Sequence, residues 1–262
     1  MSDNFLYDNF QKENNYDIAC FSDIGKRNSQ QDSGYIAADD GNVIAVICDG
    51  MGGFEGGQKA SSTAVDAFVE FYQCYAAEKN FNIEWMQQAA KRIDEIVYDL
   101  SDADGKRLGA GTTLIGLWIV ENSLSWVSVG DSRIYILRGE EMAQITCDHN
   151  YFMEIDRKRA HGTISEEEYK KESESGEALI SFVGMGGLLM MDISDNPFML
   201  QSGDIIFACT DGVYRTINDD RLKEIISYGK SAVEKAQRIF EAVKLADKIA
   251  QDNFTGAIIR IR

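Results

Sequence analysis

Four short apolar runs in this chain abut an aspartate, so any sheet they build carries carboxylates on its rim. VIAVICD stops on Asp49, LSWVSVGD on Asp131 and DIIFACTD on Asp211, while Asp252 stands just ahead of the closing run FTGAIIRI. Each run is short and rich in β-branched residues, the pattern of a buried strand. A single aspartate in such a place most often serves a turn or a helix cap. Asp49, Asp131 and Asp211 share a further trait, an adjoining glycine (Gly50, Gly130, Gly212) that lets other backbone come close. Carboxylates gathered at one sheet edge repel strongly at low dielectric unless cations neutralise them. Oxygen donors with no histidine or cysteine beside them suit Mg²⁺ or Mn²⁺ rather than zinc.

The same pattern predicts strands over Asp17–Phe21, Val43–Cys48, Thr112–Ile119, Leu124–Val129, Arg133–Arg138, Asp204–Cys209 and Ala257–Ile261. Apolar residues at helical spacing predict helices over Gln58–Lys79, Ile83–Leu100 and Ser231–Ala250. The elements arrive in blocks, and Glu121-Asn122-Ser123 reads as a tight turn between antiparallel strands. This favours an α+β fold, sheet layers covered by helices, over a doubly wound parallel sheet. From about Asn150 to Asp195 the character changes to charge runs such as Asp156–Arg159, with Ser165 and Glu168 spaced as a capping box. A solvated helical insertion is the plain reading of that segment, and a mobile cover over a site is the alternative.

Several function classes fall away. Acidic residues outnumber basic ones 43 to 26, a formal charge of −17, and no basic run provides a nucleic-acid surface. No apolar run approaches the ~20 residues of a membrane span. The polar, acidic start MSDNFLYDNFQKENNYD has neither the basic nor the apolar part of a signal segment, so a cytoplasmic location is expected. The only histidines are His149 and His161, which excludes an H-E-x-x-H zinc site, and the five cysteines form no C-x-x-C pair. In VICDGMGGFEGG, Gly52 and Gly57 have the outer spacing of a phosphate loop, but Gln58 and Lys59 put the lysine one place late. The dinucleotide pattern G-x-G-x-x-G fails at Glu55.

Seven motifs carry a resemblance to a known family: GKRNSQQDS (Gly25–Ser33), VICDGMGG (Val46–Gly53), GAGTT (Gly109–Thr113), VGDSRIY (Val129–Tyr135), ITCDHN (Ile145–Asn150), ACTDGV (Ala208–Val213) and DNFT (Asp252–Thr255). In that order they resemble the metal-dependent serine/threonine protein phosphatases of type 2C, in their bacterial form. The resemblance implies a four-layer α-β-β-α sandwich, two packed antiparallel sheets with helices outside, as one catalytic domain over residues 1–262. About 150–195 would be its flap, and residues 1–16 an N-terminal segment whose order the sequence leaves open.

The implied activity is hydrolysis of phosphoserine and phosphothreonine in proteins by in-line attack of a metal-bridging water or hydroxide. Two Mn²⁺ or Mg²⁺ ions are implied, with a third, weaker ion in bacterial members. Asp49 would bridge the two, the Gly50 carbonyl would bind the second, and Asp211 and Asp252 would complete the first. Asp131 with Asp211 would hold the third, Asp32 would orient metal-bound water, and Arg27 would grip the substrate phosphate. Phosphoprotein substrates and a cognate kinase are the implied partners, with no nucleic acid or membrane, and a monomer is expected.

The chain departs from the family at three places. Gln30 stands where asparagine is common, and Gln58 replaces a frequent glutamate. Histidine is missing at Met51 and Phe54, two places where members carry a candidate proton donor, so the leaving group would take its proton from metal-bound water. Two other readings stay open: a catalytically silent phosphatase-fold binding protein, and a hydrolase of small phosphate esters.

Overall fold

The computed structural model describes residues 5–8, 15–39, 41–53, 55–78 and 83–262. Its strands, in chain order, are β1 (Phe5–Asp8), β2 (Tyr16–Asp23), β3 (Asp32–Asp39), β4 (Asn42–Met51), β5 (Gly111–Thr112), β6 (Leu114–Val120) and β7 (Ser123–Val129). There follow β8 (Arg133–Arg138), β9 (Glu141–Gln144), β10 (Asp192–Ile193), β11 (Phe198–Met199), β12 (Ile205–Cys209) and β13 (Phe254–Ile261). The helices are α1 (Gly56–Glu78), α2 (Ile83–Tyr98), α3 (Tyr151–Ala160), α4 (Glu166–Glu172), α5 (Asp211–Tyr214), α6 (Asp219–Ser227) and α7 (Ala232–Leu245).

One sheet runs β1-β2-β13-β12-β8-β9 and the other β10-β7-β6-β4-β3, with β5 added to β4 and β11 to β7. The pairing in both is antiparallel, as the block order and the 121–123 turn require. Strand alternation then builds the layers. On β4, Val43, Ala45 and Ile47 face the other sheet and pack with Ile18, Ile206, Ala257 and Ile259. Its other face, Ile44, Val46 and Cys48, packs under Ala60, Ala64 and Phe68 of α1 and Met86, Ala90 and Ile93 of α2. The outer face of the first sheet is covered by α6 and α7 through Leu222, Ile225, Ala236, Ile239 and Val243. Covered on both faces, the central runs Val43–Cys48 and Ile205–Cys209 are apolar at every position and lack polar alternation. Each large side chain so buried contributes roughly 1.5–3 kcal/mol. The four-layer α-β-β-α sandwich expected above is the fold observed.

The differences from the sequence reading are local. β3 was not predicted, because SGYIAAD has one buried apolar anchor, Ile36, and lies at the sheet edge with Tyr35 exposed. The helix expected to reach Ala250 stops at Leu245, and Asp247 turns to a positive φ of 44°. Leu245 and Ile249 continue the helical spacing but are 83% and 96% exposed, so nothing rewards continuing. α6 was missed although Asn218 caps it and Leu222, Ile225 and Ile226 have the right spacing. Within the N-terminal segment, Phe5–Asp8 pairs with β2 and Tyr16 begins β2, while 1–4 and 9–14 lie outside the described residues.

The segment 150–195 leaves the sandwich as α3 and α4. Ser165 and Glu168 form the capping box read from the sequence. The chain then returns along the sheet edge, bridging Leu179 to Asn150 and Val183 to Thr112. Asp94 of α2, 2% exposed, accepts the N–H groups of Gly184 and Met185 at 2.7 and 2.9 Å and pins the return loop.

Candidate active site

The ladder between β3 and β4 sets Asp32 directly opposite Asp49. β4 does not end at Cys48 as its apolar run suggested. It continues through Asp49, Gly50 and Met51 because β5 adds a new partner there. Gly50 donates to the Gln31 carbonyl at 3.1 Å, and a Cβ on it would sit 2.1 Å from the Gly57 carbonyl oxygen, so no larger residue fits. The two threonines of GAGTT hold the Asp49 backbone. Thr113 accepts the Asp49 N–H at its hydroxyl and donates its own N–H to the Asp49 carbonyl, both at 2.9 Å. The Thr112 hydroxyl donates to that same carbonyl at 2.9 Å. With its backbone satisfied from both sides, Asp49 has its side chain left for chemistry.

The first sheet supplies the other carboxylates. Asp211 follows Thr210 at the end of β12, and Asp252 leads into β13 beside it. Gly212 lies against the Asn253 carbonyl so closely that a Cβ would stand 1.9 Å away. Asn253 knits the GKRNSQQDS loop onto this turn, donating to the carbonyls of Ile24 and Ser29 at 2.8 and 3.0 Å and accepting from Gln31 N–H at 2.8 Å. Gln31 also donates to the Gly53 carbonyl at 2.7 Å, and Gln30 to the Ser22 hydroxyl at 2.7 Å. The departure at Gln30 is therefore absorbed into the loop's own bonding. Thr210 reaches across the sandwich and donates to Asp32 Oδ2 at 2.8 Å. Asp131 lies in the turn between β7 and β8, where the chain steps from one sheet to the other.

These carboxylates raise one another. Burial pushes Asp49 well above the usual range, and Asp32, Asp211, Asp131 and Asp252 push it further. Burial lifts Asp32 to about 7 against the Thr210 and Thr255 hydroxyls, with Asp211 and Asp252 adding to the rise. Asp131 is raised to about 6 by burial and then by Asp211, with Arg215 opposing. Asp211 is raised by burial, again against Arg215. Among the described residues, Asp32 Oδ1 and Asp211 Oδ1 are buried without a hydrogen-bond partner. Buried oxygens with no donor, in a cluster that cannot all ionise unaided, fit hard cations with oxygen ligands.

Among the described residues no three acidic, histidine or cysteine side chains already close around one point. Guanidinium groups stand on the carboxylates that would do so. Arg27 Nη2 lies 2.5 Å from Asp252 Oδ2, and Arg215 contacts both Asp211 and Asp131 at 3.1 and 3.0 Å. Arg27 is 56% exposed, so its contact exchanges easily with solvent or an anion. Arg215 lies outside every motif read from the sequence, and Thr112, Thr113 and Thr210 entered only as members of GAGTT and ACTDGV, with no role of their own. Arg215 follows Asp211 by four residues, a helical ion-pair spacing that was a usable signal.

Neither histidine joins the carboxylates. His149 is buried behind Asp131, where its Nδ1 accepts the Gly130 N–H at 3.1 Å and burial lowers its pKa. His161 is the exposed cap of α3. Cys147 lies next to Asp192 with its thiol pushed up by burial, which opposes the thiolate a cysteine–histidine pair needs. Met51 is the last residue of β4, and Phe54 lies outside the described residues.

A family profile described as Protein phosphatase 2C matches residues 22–251 of this chain. The serine/threonine phosphatase stp of Listeria monocytogenes serotype 4b is 28% identical over 239 residues, 89% of this chain and 90% of its own. The protein phosphatase PhpP of Streptococcus pneumoniae is 26% identical over 246 residues, 93% of this chain and 96% of its own. Among solved structures, the serine/threonine phosphatase of S. agalactiae aligns with a TM-score of 0.77 at 23% identity, over 94% of this chain and 100% of that one. The catalytic domain of PstP in complex with two manganese ions aligns at 0.72 with 23% identity, over 94% and 97%. The profile stops one residue short of Asp252, so the case for that residue rests on its place beside Arg27 and Asn253.

Proposed function

The chain belongs to the protein phosphatase 2C family and is a protein serine/threonine phosphatase of that metal-dependent kind, and we propose how its residues divide the work. The observation that carries the proposal is the convergence of Asp32, Asp49, Asp211 and Asp252 at one end of the sandwich, with two buried carboxylate oxygens left undonated. Asp49, the Gly50 carbonyl, Asp211 and Asp252 would hold two divalent ions, Mn²⁺ or Mg²⁺. When bound, such ions offset charge on the phosphoryl oxygens and acidify the attacking water.

The remaining roles belong to the chain. Asp32, fixed by Thr210 and keeping Oδ1 free of protein donors, orients the attacking water. Arg27 leaves Asp252 for the substrate phosphate, which its planar fork matches with two parallel donors. Thr112 and Thr113 keep Asp49 from shifting. The whole chain works as one catalytic domain with 150–195 as its flap. Its substrates are phosphoproteins, a cognate serine/threonine kinase writes those phosphates, and the protein acts as a cytoplasmic monomer. Among the described residues no helix is long and apolar enough to cross a membrane.

The test is turnover of a phosphothreonine peptide and of 4-nitrophenyl phosphate with Mn²⁺, Mg²⁺ or EDTA, beside Asp252→Ala. Activity on both substrates is expected only with metal, and a loss of about 100-fold or more in Asp252→Ala. Turnover that persists in EDTA would sink the two-ion reading. The absence of histidine at Met51 carries a second expectation: the leaving alkoxide takes its proton from water. Phosphothreonine should then lag further behind the aryl ester than in a histidine-bearing relative, and Met51→His should narrow that gap. A gap unmoved by Met51→His, and no wider than the relative's, would rule this out.

A further inference from the structure

Arg215 sets three nitrogens on three carboxylates. Nε lies 3.1 Å from Asp211 Oδ2, Nη2 lies 3.0 Å from Asp131 Oδ2, and Nη1 lies 2.6 Å from Glu177 Oε2. The arm is fixed at its root, because Arg215 caps α5 and its N–H donates to the Asp211 carbonyl at 2.9 Å. The side chain is 31% exposed, well short of a free surface arginine.

Its surroundings close the same space. The Tyr214 hydroxyl donates to the Asp131 carbonyl at 3.0 Å, and the Arg133 guanidinium lies 3.7 Å over the Tyr214 ring. Arg133 is held there by Asp148, with contacts of 2.7 and 3.0 Å. Behind Asp131, His149 takes the Gly130 N–H and its own carbonyl accepts from Ile180 at 2.9 Å. A divalent ion shared by Asp131 and Asp211 would have to displace a guanidinium that both carboxylates already hold. The residues present therefore do not fit a third ion.

We infer that Arg215 is a built-in cation standing between Asp131 and Asp211 in place of that third ion, and that its remaining arm ties the flap to the metal centre at Glu177. The inference rests on the two-ion reading of the core site. A guanidinium stays charged at every relevant pH, so this cation does not depend on metal concentration. It also carries one charge rather than two and offers no open position for water. The protein would thus lack a weak metal-dependent phase, and the return loop after α4 would stay tethered whether or not metal is abundant. Arg215 is on this view a positioning residue, acting through Asp131, Asp211 and Glu177.

The experiment counts bound Mn²⁺ by equilibrium dialysis with metal analysis, up to millimolar concentrations. The wild type is expected to bind two ions, Arg215→Ala and Arg215→Gln three, and Arg215→Ala with Asp131→Asn two again. The two single variants guard against one of them failing to fold. A third ion in the wild type that Asp131→Asn removes, or no gain in either Arg215 variant, would overturn the inference and leave the core site standing. No bound Mn²⁺ in the folded wild type would instead overturn the core-site reading. Hydrogen exchange across residues 173–187 checks the tether, which predicts faster exchange in Glu177→Gln; unchanged exchange would remove that part.

Discussion

Asp49→Asn is expected to lower kcat/KM on a phosphothreonine peptide by about a thousandfold or more, roughly 4 kcal/mol of transition-state stabilisation, while raising the melting temperature of the metal-free protein. The two effects have opposite signs because one side chain does two things. As a proposed metal ligand, it would help hold the ions beside the phosphate. In the metal-free protein the same half-buried carboxyl group is raised by desolvation first and then by Asp32, Asp211, Asp131 and Asp252. Asparagine keeps the shape and leaves the backbone bonds to Thr112 and Thr113 untouched. Where burial and like charges oppose ionisation, a neutral isostere of the same shape removes that repulsion. Kinetics and thermal melts on the same preparation, with and without EDTA, read both effects. Lost activity with a lowered metal-free melting temperature would mean that the substitution merely damages the fold.

The second large effect is on stability against pH. Removing metal should make the protein less stable at pH 8 than at pH 5.5, and saturating Mn²⁺ should restore far more at pH 8. Asp32 is raised to about 7 and Asp131 to about 6, and Asp49 and Asp211 are raised too, from an unfolded value of about 3.9. A carboxyl group raised on folding binds its proton more tightly in the folded state. Its contribution is therefore complete below about pH 4 and is lost as pH climbs through 6 and 7. His149 works the other way, since burial lowers it, and its contribution falls away as pH drops below about 6.5. Four carboxylates outweigh one imidazole in this window. Metal added at high pH supplies the charge that protons no longer do, and a ligand at a hundred times its Kd adds about 2.7 kcal/mol. Binding near pH 6 should release protons, which calorimetry in two buffers of different ionisation enthalpy would detect. A metal-free melting temperature that rises between pH 5.5 and pH 8 would contradict the whole electrostatic picture of the site.

The sandwich was legible because its strands are apolar on both faces and its turns carry glycine, signals that act within a few residues. The ends of β4, β12 and β13 were legible for a related reason: an aspartate closing an apolar run is conspicuous wherever the run is buried. What could not be read was partnership across long separations. Thr210 donating to Asp32 and Asn253 gripping the loop at Ile24 join residues more than 170 positions apart. Ordinary threonines and an asparagine give no local sign of such work. β3 was missed because an edge strand needs only one buried anchor, and the last turn of α7 was overextended because spacing does not reveal whether a face is covered. Arg215 lies between these cases. Its spacing from Asp211 could be read, but Asp131 and Glu177 as its other partners could not.

The step of the chain from one sheet to the other at Asp131 has a mechanical meaning. Asp32 and Asp49 ride on one half of the sandwich and Asp211 and Asp252 on the other, so the proposed reaction centre is a seam rather than a pocket in either half. A small shear between the halves would pull the carboxylates out of register before any helix unwound. Ions bound as proposed would act as rivets through that seam, resisting slip in a way that neither hydrophobic layer can alone.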